Sequence, residues 1–303
     1  VETRKIGSLD VTVVGLGCNN FGRRLDAAAT ARVLHAAIEA GVTFFDTADI
    51  YGGTLSETYM GQAMAGRWSE VVLATKVGME VDEKRKGARP EYVRQAAEES
   101  LTRLRTERID LYQLHRPDPD VPIAETLGAL AELVKEGKVR EIGCSNFSVG
   151  QLQEAEAAVK SGSARFASVQ NQYSLFRREP EQGVLQECVR QGIGFLPYFP
   201  LASGLLSAKY RKGQPIPEGT RIQSGSDWLT DENLDIVERL SAFASDHGHS
   251  LLELAISWLA AQPAVSSVIA GATKPEQVAA NANGASWKLT PEDLKAIDGL
   301  LVA

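Results

Sequence analysis

The feature that most constrains the fold is a chain-long alternation of short β-branched or apolar runs with longer stretches of helical periodicity. Val11 to Gly15 leads into an Ala-rich helix over 26–40, which stops at Gly41 where helices commonly end. Strand 42–45 precedes a helix near 56–65, strand 71–75 one at 90–104, and strand 109–114 one at 122–136. Pro90 and Pro122 open the last two, where a missing N–H is least disruptive. The series continues with 138–143 and 148–160, 167–170 and 179–191, 194–198 and 231–246, then 267–270 and a helix from Pro275. Eight strand-then-helix units with short links predict an α/β fold whose parallel strands close through right-handed crossovers, a (β/α)8 TIM barrel. Barrels of this kind commonly run to about 250 residues as one domain, so 1–303 reads as a single domain. Residues 2–13 read as an N-terminal β-hairpin turning at Gly7-Ser8, placed to plug the barrel's bottom. Two additional C-terminal helices are expected: one over 249–261 with Leu251, Leu254, Ala255 and Trp258 in the core, and one entered at Thr290-Pro291-Glu292. Residues 203–230 form a long loop after strand seven, and such loops are usually functional.

Three successive strands of this series end in proton-handling side chains. Val42-Thr43-Phe44-Phe45 runs into Asp46-Thr47-Ala48-Asp49-Ile50-Tyr51-Gly52, Val71–Thr75 runs into Lys76, and Ile109–Leu114 runs into His115. The C-terminal ends of barrel strands converge on one mouth, so residues far apart in sequence become neighbours there. A phenol can donate a proton to a polarised oxygen, with an ammonium to lower its pKa, a carboxylate to hold the ammonium and an imidazole to orient the substrate. Each group alone has an ordinary structural explanation: Asp46 and Lys76 as an ion pair, Tyr51 as a packed aromatic, His115 as a helix cap. Four suitable groups converging on one face favour chemistry over coincidence.

The charge of −7 and pI near 5.3 speak against an extended nucleic-acid surface, which needs clustered Lys and Arg. Lys84-Arg85-Lys86 reads as a solvated loop. Cys18, Cys144 and Cys188 form no CxxC pair and no metal spacing, which fits a reducing cytoplasm. No apolar h-region opens the chain and no stretch approaches the roughly 20 apolar residues of a membrane span, so a soluble, cytoplasmic protein is expected. A metal-dependent hydrolase is disfavoured, because His35, His115, His247 and His249 make no HxH site at a strand end.

The segment Asp46–Gly52, followed by Ser56-Glu57 and Gly61, with Lys76 and His115 in order, resembles the aldo-keto reductase family over essentially the full length. The resemblance implies reversible hydride transfer between a nicotinamide and a small-molecule carbonyl without metal. Tyr51 would be the acid, Lys76 paired with Asp46 would make it more acidic, and His115 would hold the carbonyl oxygen. It also implies that Ser145, Asn146 and Gln170 hold the nicotinamide carboxamide while Tyr198 stacks on the ring, with Leu201 beside it. No GxGxxG fingerprint follows the first strand.

The phosphate end is expected at Gly271-Ala272-Thr273-Lys274-Pro275-Glu276-Gln277, because a helix N-terminus offers unpaired N–H groups to an anion. Part of the family carries Lys and Arg where Gly271 and Gln277 stand here, as they do in the branch resembling potassium-channel β subunits. Thr273, Lys274 and Asn281, with Lys209 and Arg221 from the long loop, remain to grip the phosphates, and NADPH is expected over NADH. The substrate wall is expected from Asn19, Asn20, Phe21, Ile50, Met79, Phe199 and Trp228, with Arg23 and Arg24 near the mouth. The rival function is a nicotinamide-sensing regulatory subunit with little turnover, as that branch pairs the same barrel with a partner.

Overall fold

In a computed structural model, which describes residues 2–160, 163–223 and 225–301, the chain opens with an antiparallel hairpin of β1 (Thr3–Ile6) and β2 (Leu9–Thr12). Gly7 makes its turn at φ 54°, and the carboxylate of Glu141 accepts from Ser8 N at 2.8 Å, which ties the hairpin to the barrel. Ile6, Leu9 and Val11 are fully buried against Phe44, Ala74, Leu111, Leu196 and Ile269, so the hairpin fills the barrel's lower end.

The barrel itself closes from eight parallel strands: β3 (Val14–Gly17), β4 (Phe44–Asp46), β5 (Val72–Val77), β6 (Ile109–Leu114), β7 (Val139–Ser145), β8 (Phe166–Gln172), β9 (Gly194–Tyr198) and β10 (Val268–Gly271). The last pairs with the first through Val268 and Val14, which completes the cylinder. The expected first strand over 11–15 is corrected here. Val11 and Thr12 belong to the hairpin and the chain turns into the barrel at Val13, because the apolar run serves two structures in succession.

Helices α1 (Ala27–Glu39), α2 (Leu55–Ala63), α3 (Pro90–Leu104), α4 (Ile123–Lys135), α5 (Val149–Ala158), α6 (Val184–Gln191), α7 (Asp231–Asp246), α8 (Leu251–Ala260) and α9 (Pro275–Asn283) surround the strands, and α10 (Pro291–Leu301) follows. Asp26 caps α1 by accepting from Ala29 N at 2.8 Å, and Ser250 with Glu253 forms a reciprocal capping box on α8. Leu251, Leu254, Ala255 and Trp258 are buried, as helical spacing requires. The helix expected over 179–191 is broken: a 3-10 turn at Glu179–Gln182 meets α6 at Gly183, whose φ of 128° no α-helix accommodates. After β9 a 3-10 segment, Ala202–Ser207, leads into the irregular part of the long loop, of which residue 224 lies outside the described residues. Among the described residues no helix is long and apolar enough to cross a membrane.

Candidate active site

Strand alternation builds the site. Phe44, Ala74 and Leu111 form an apolar layer above the hairpin, and the residues two further along the same strands are Asp46, Lys76 and Gln113. A polar layer thus sits directly on an apolar one. Lys76 has no exposed surface, and its Nζ donates to Asp46 Oδ2 at 2.6 Å and to the Thr47 carbonyl at 2.8 Å. Asp46 Oδ1 accepts from Gln113 Nε2 and from Gln170 Nε2, each at 3.0 Å. A buried ion pair is tolerable only when the remaining lone pairs are also satisfied, and the two amides do this.

Tyr51 lies above the pair, with Lys76 Nζ 5.1 Å from its ring centroid and the His115 ring edge-on at 5.8 Å. Burial pushes the phenol's pKa up, and the Lys76 ammonium offsets only part of this. The ammonium acts in the expected direction, but desolvation outweighs it, so the phenol holds its proton at neutral pH. Lys76 moves up despite its burial, because Asp46 and Tyr51 favour its charged form. His115 is pushed down to about 2 by burial, with Lys76 and Arg116 acting the same way. It is therefore a neutral imidazole, and its Nδ1 is buried without a partner among the described residues. Burial raises Cys18 well above the usual thiol range, so no thiolate nucleophile stands nearby.

These groups open on a cavity of about 1720 Å³, which exceeds the several hundred cubic ångströms of most small-ligand sites and suits a dinucleotide with a second reactant. Ser145, Asn146, Gln170, Tyr198 and Leu201 line one part of it. Ser145 Oγ donates to the Gln170 carbonyl at 2.7 Å. Asn146, in left-handed backbone at φ 62°, donates to the His115 carbonyl and Ser145 Oγ at 3.0 Å and accepts from the Tyr198 hydroxyl at 2.8 Å. Backbone held in that region by a side chain other than glycine is typical of functional positions.

Gly271, Thr273, Lys274, Gln277 and Asn281 line another part, together with Lys209 and Arg221 from the long loop. Gln277 Oε1 accepts from both the N–H and the hydroxyl of Thr273, at 2.8 and 3.1 Å, which closes the first turn of α9. Arg221 lies over the Phe199 ring at 5.3 Å and donates to Asn20 Oδ1 at 3.2 Å. Burial and the neighbouring Arg24 and Arg23 hold its pKa below the usual guanidinium range, an electrostatic demand that an anion would meet. The residues present therefore fit a phosphorylated dinucleotide.

Asn20, Met79 and Phe199 line the cavity as expected for the substrate wall, whereas Phe21, Ile50 and Trp228 do not. Phe21 is wholly buried in a cluster with Leu16, Leu34 and Met60, so it packs the barrel against α1 and α2. Ile50 is half-buried and sits in the turn before Tyr51, its carbonyl accepting from Gly53 N at 3.1 Å. Trp228 anchors the long loop instead, edge-on to Phe176 and under the Arg177 guanidinium at 5.3 Å. Sequence reasoning missed Gln113 and the wall made by Arg116 to Ile123 after β6. Gln113 carries a signal in the pattern: it alternates in register beside Lys76, as the β5–β6 pairing confirms. Among the described residues no group of three or more His, Cys, Asp or Glu side chains is placed to hold a metal.

Comparison with known proteins agrees with this geometry. The model of the aldo/keto reductase family matches residues 13–302. A probable aldo-keto reductase of Glycine max is 33% identical over 311 residues, spanning 98% of this chain and 88% of the relative. Among solved structures, a glycerol dehydrogenase of Gluconobacter oxydans aligns with a TM-score of 0.87 at 30% identity, covering 99% of this chain and 94% of that one. An aldo-keto reductase of Bacillus halodurans, in its holo form, aligns at 0.82 and 31%, covering 99% and 96%. With its closed barrel, its hairpin and a proton-handling group at the strand ends, the chain belongs to the aldo/keto reductase family.

Proposed function

We propose that this chain reduces an aldehyde or ketone to an alcohol with NADPH, and that Tyr51 is the general acid. The observation that carries this reading is the buried Lys76–Asp46 pair beneath a protonated Tyr51, opening with neutral His115 on one large cavity. A bound reduced nicotinamide supplies the hydride to the carbonyl carbon.

The chain's own groups manage the proton and the charge. Tyr51 keeps its proton until negative charge develops on the carbonyl oxygen, then transfers it to that oxygen. Lys76, held in its charged form by Asp46, stabilises the phenolate that remains. His115, being neutral, offers a ring N–H to the oxygen without competing as an acid. The preference for NADPH rests on Arg24, Lys209, Arg221 and Lys274 around the cavity, a set of cations suited to an additional phosphate. The Lys and Arg that grip the 2′-phosphate in other family members are absent at Gly271 and Gln277, which is why the branch resembling potassium-channel β subunits is the best analogy.

Substitution Tyr51→Phe is expected to lower carbonyl reduction by about 10²- to 10⁴-fold while leaving NADPH binding within about threefold of wild type. Absorbance at the nicotinamide band with a carbonyl panel reads the first, and fluorescence titration the second. Full turnover in the variant would remove Tyr51 from the role. Tight binding by the wild type with no turnover on any carbonyl would favour a sensing subunit instead.

A further inference from the structure

We propose that Gln113, which touches neither reactant, is a positioning residue that sets the orientation of the Gln170 amide and so makes the site recognise the N–H2 group of a carboxamide. The proposal rests on the reading above that Gln170 faces the nicotinamide.

Both amides meet at one carboxylate oxygen. Asp46 Oδ1 is an acceptor only, so Gln113 and Gln170 must each turn a nitrogen toward it. This leaves Gln113 Oε1 as the acceptor that lies 3.3 Å from Gln170 Nε2. Gln170 then spends one N–H on Asp46 and the other on Gln113, and its amide cannot flip without placing oxygen against both a carboxylate and a carbonyl-type oxygen. What it presents to the cavity is Oε1, to which no donor among the described residues is bonded. An acceptor in that position selects a donor, and the carboxamide of nicotinamide carries one.

The fold gives Gln113 its place. It is wholly buried at the fifth position of β6, paired in register with Lys76 on one side and Gly143 on the other. A Cβ at Gly143 would come within 3.2 Å of Gln113 Cγ, so β7 is bare where the glutamine crosses it. Without Gln113, Gln170 loses one of the two acceptors that fix it.

The test compares two reduced dinucleotides by fluorescence titration of the full chain: NADPH, and its analogue with an acetyl group in place of the carboxamide, which lacks the N–H2. Wild type is expected to bind the carboxamide form roughly threefold to tenfold more tightly, the range for one hydrogen bond. Gln113→Met, near-isosteric but without donor or acceptor, is expected to bring that ratio close to one. Gln113→Glu, whose carboxyl is kept protonated by burial beside Asp46, gives Asp46 an O–H in place of the amide N–H and keeps an oxygen facing Gln170, so it is expected to retain the ratio. A wild-type ratio near one overturns the proposal even if the methionine variant fails to fold. So does a ratio that both variants keep or both lose, since packing alone would then account for the residue. If the wild type binds neither dinucleotide, the reading of the cavity fails and this role with it; binding of both with an unmoved ratio removes Gln113 alone.

Discussion

Asp46 and Asp49 lie three residues apart in one segment and are almost equally buried, yet their surroundings differ in kind. Asp46 faces the barrel interior, where Lys76, Gln113 and Gln170 supply a donor for each oxygen. Asp49 belongs to the layer behind the strands, and neither of its oxygens finds a well-formed hydrogen bond. Burial first, and the neighbouring Glu57 second, push its pKa up to about 7, with Arg103, the Ile50 N–H and Lys76 offsetting part of that. The lesson is that burial alone does not decide a carboxylate's state. The donors around it matter as well, and Asp46 has three where Asp49 has none that is well formed.

Removing the cation from the inner layer should break the comparison most strongly. Lys76→Met strands Asp46 as a buried charge with only amide donors, and a loss of about 3–5 kcal/mol is expected in urea denaturation at pH 7. Carbonyl turnover should fall with it, since Tyr51 loses the charge that stabilises its phenolate. Unchanged stability would mean that the two glutamines suffice to hold the carboxylate.

A somewhat smaller effect is expected from Asp49, and its sign is opposite. Its folded pKa lies above the ordinary 3.8, so the native state binds more protons than the unfolded chain between about pH 4 and pH 7. Ionising it therefore lowers stability as pH rises through that window, by at most ~4 kcal/mol. Asp49→Asn cannot ionise, and the difference in urea midpoint between variant and wild type should move in the variant's favour from pH 4.5 to pH 8. A difference constant across that range would show that Asp49 already titrates near its ordinary value.

Much of this architecture is legible in the chain because its signals are local. α3 and α7 begin where the proline at 90 and the acidic opening after Thr230 place them, and the strand-end positions of Asp46, Lys76 and His115 follow from short apolar runs. What escapes is nonlocal. Phe21 and Trp228 are large aromatics in loops, and only the packing against Leu34 and Met60, or against Phe176 and Arg177, decides that they face away from the cavity. Gln113 reads as a polar interruption of a strand until the register with Lys76 brings its amide to Asp46. The Lys76 contribution at Tyr51 has the expected direction, but how far burial opposes it is a balance that no spacing in the chain encodes.

The finest division of the two layers runs through neighbouring residues of β5, Thr75 and Lys76, which alternate to opposite faces. Lys76 turns inward to Asp46, while the Thr75 hydroxyl turns outward and donates to Glu57 Oε1 at 2.5 Å. Glu57 also holds Arg103 at 2.7 Å, so the outer layer has its own ion pair between α2 and α3. Thr75→Val keeps the shape and deletes only the hydroxyl, which leaves a buried carboxylate one donor short. A loss of about 1.5–3 kcal/mol is expected, the range for hydrogen bonds to charged groups. If the layers are separate, kcat and KM for a good carbonyl should stay within about threefold of wild type. A tenfold fall in kcat with the fold intact would show instead that the strand couples Glu57 to the inner charge, and that the outer layer helps to set the acid as well as to hold the helices.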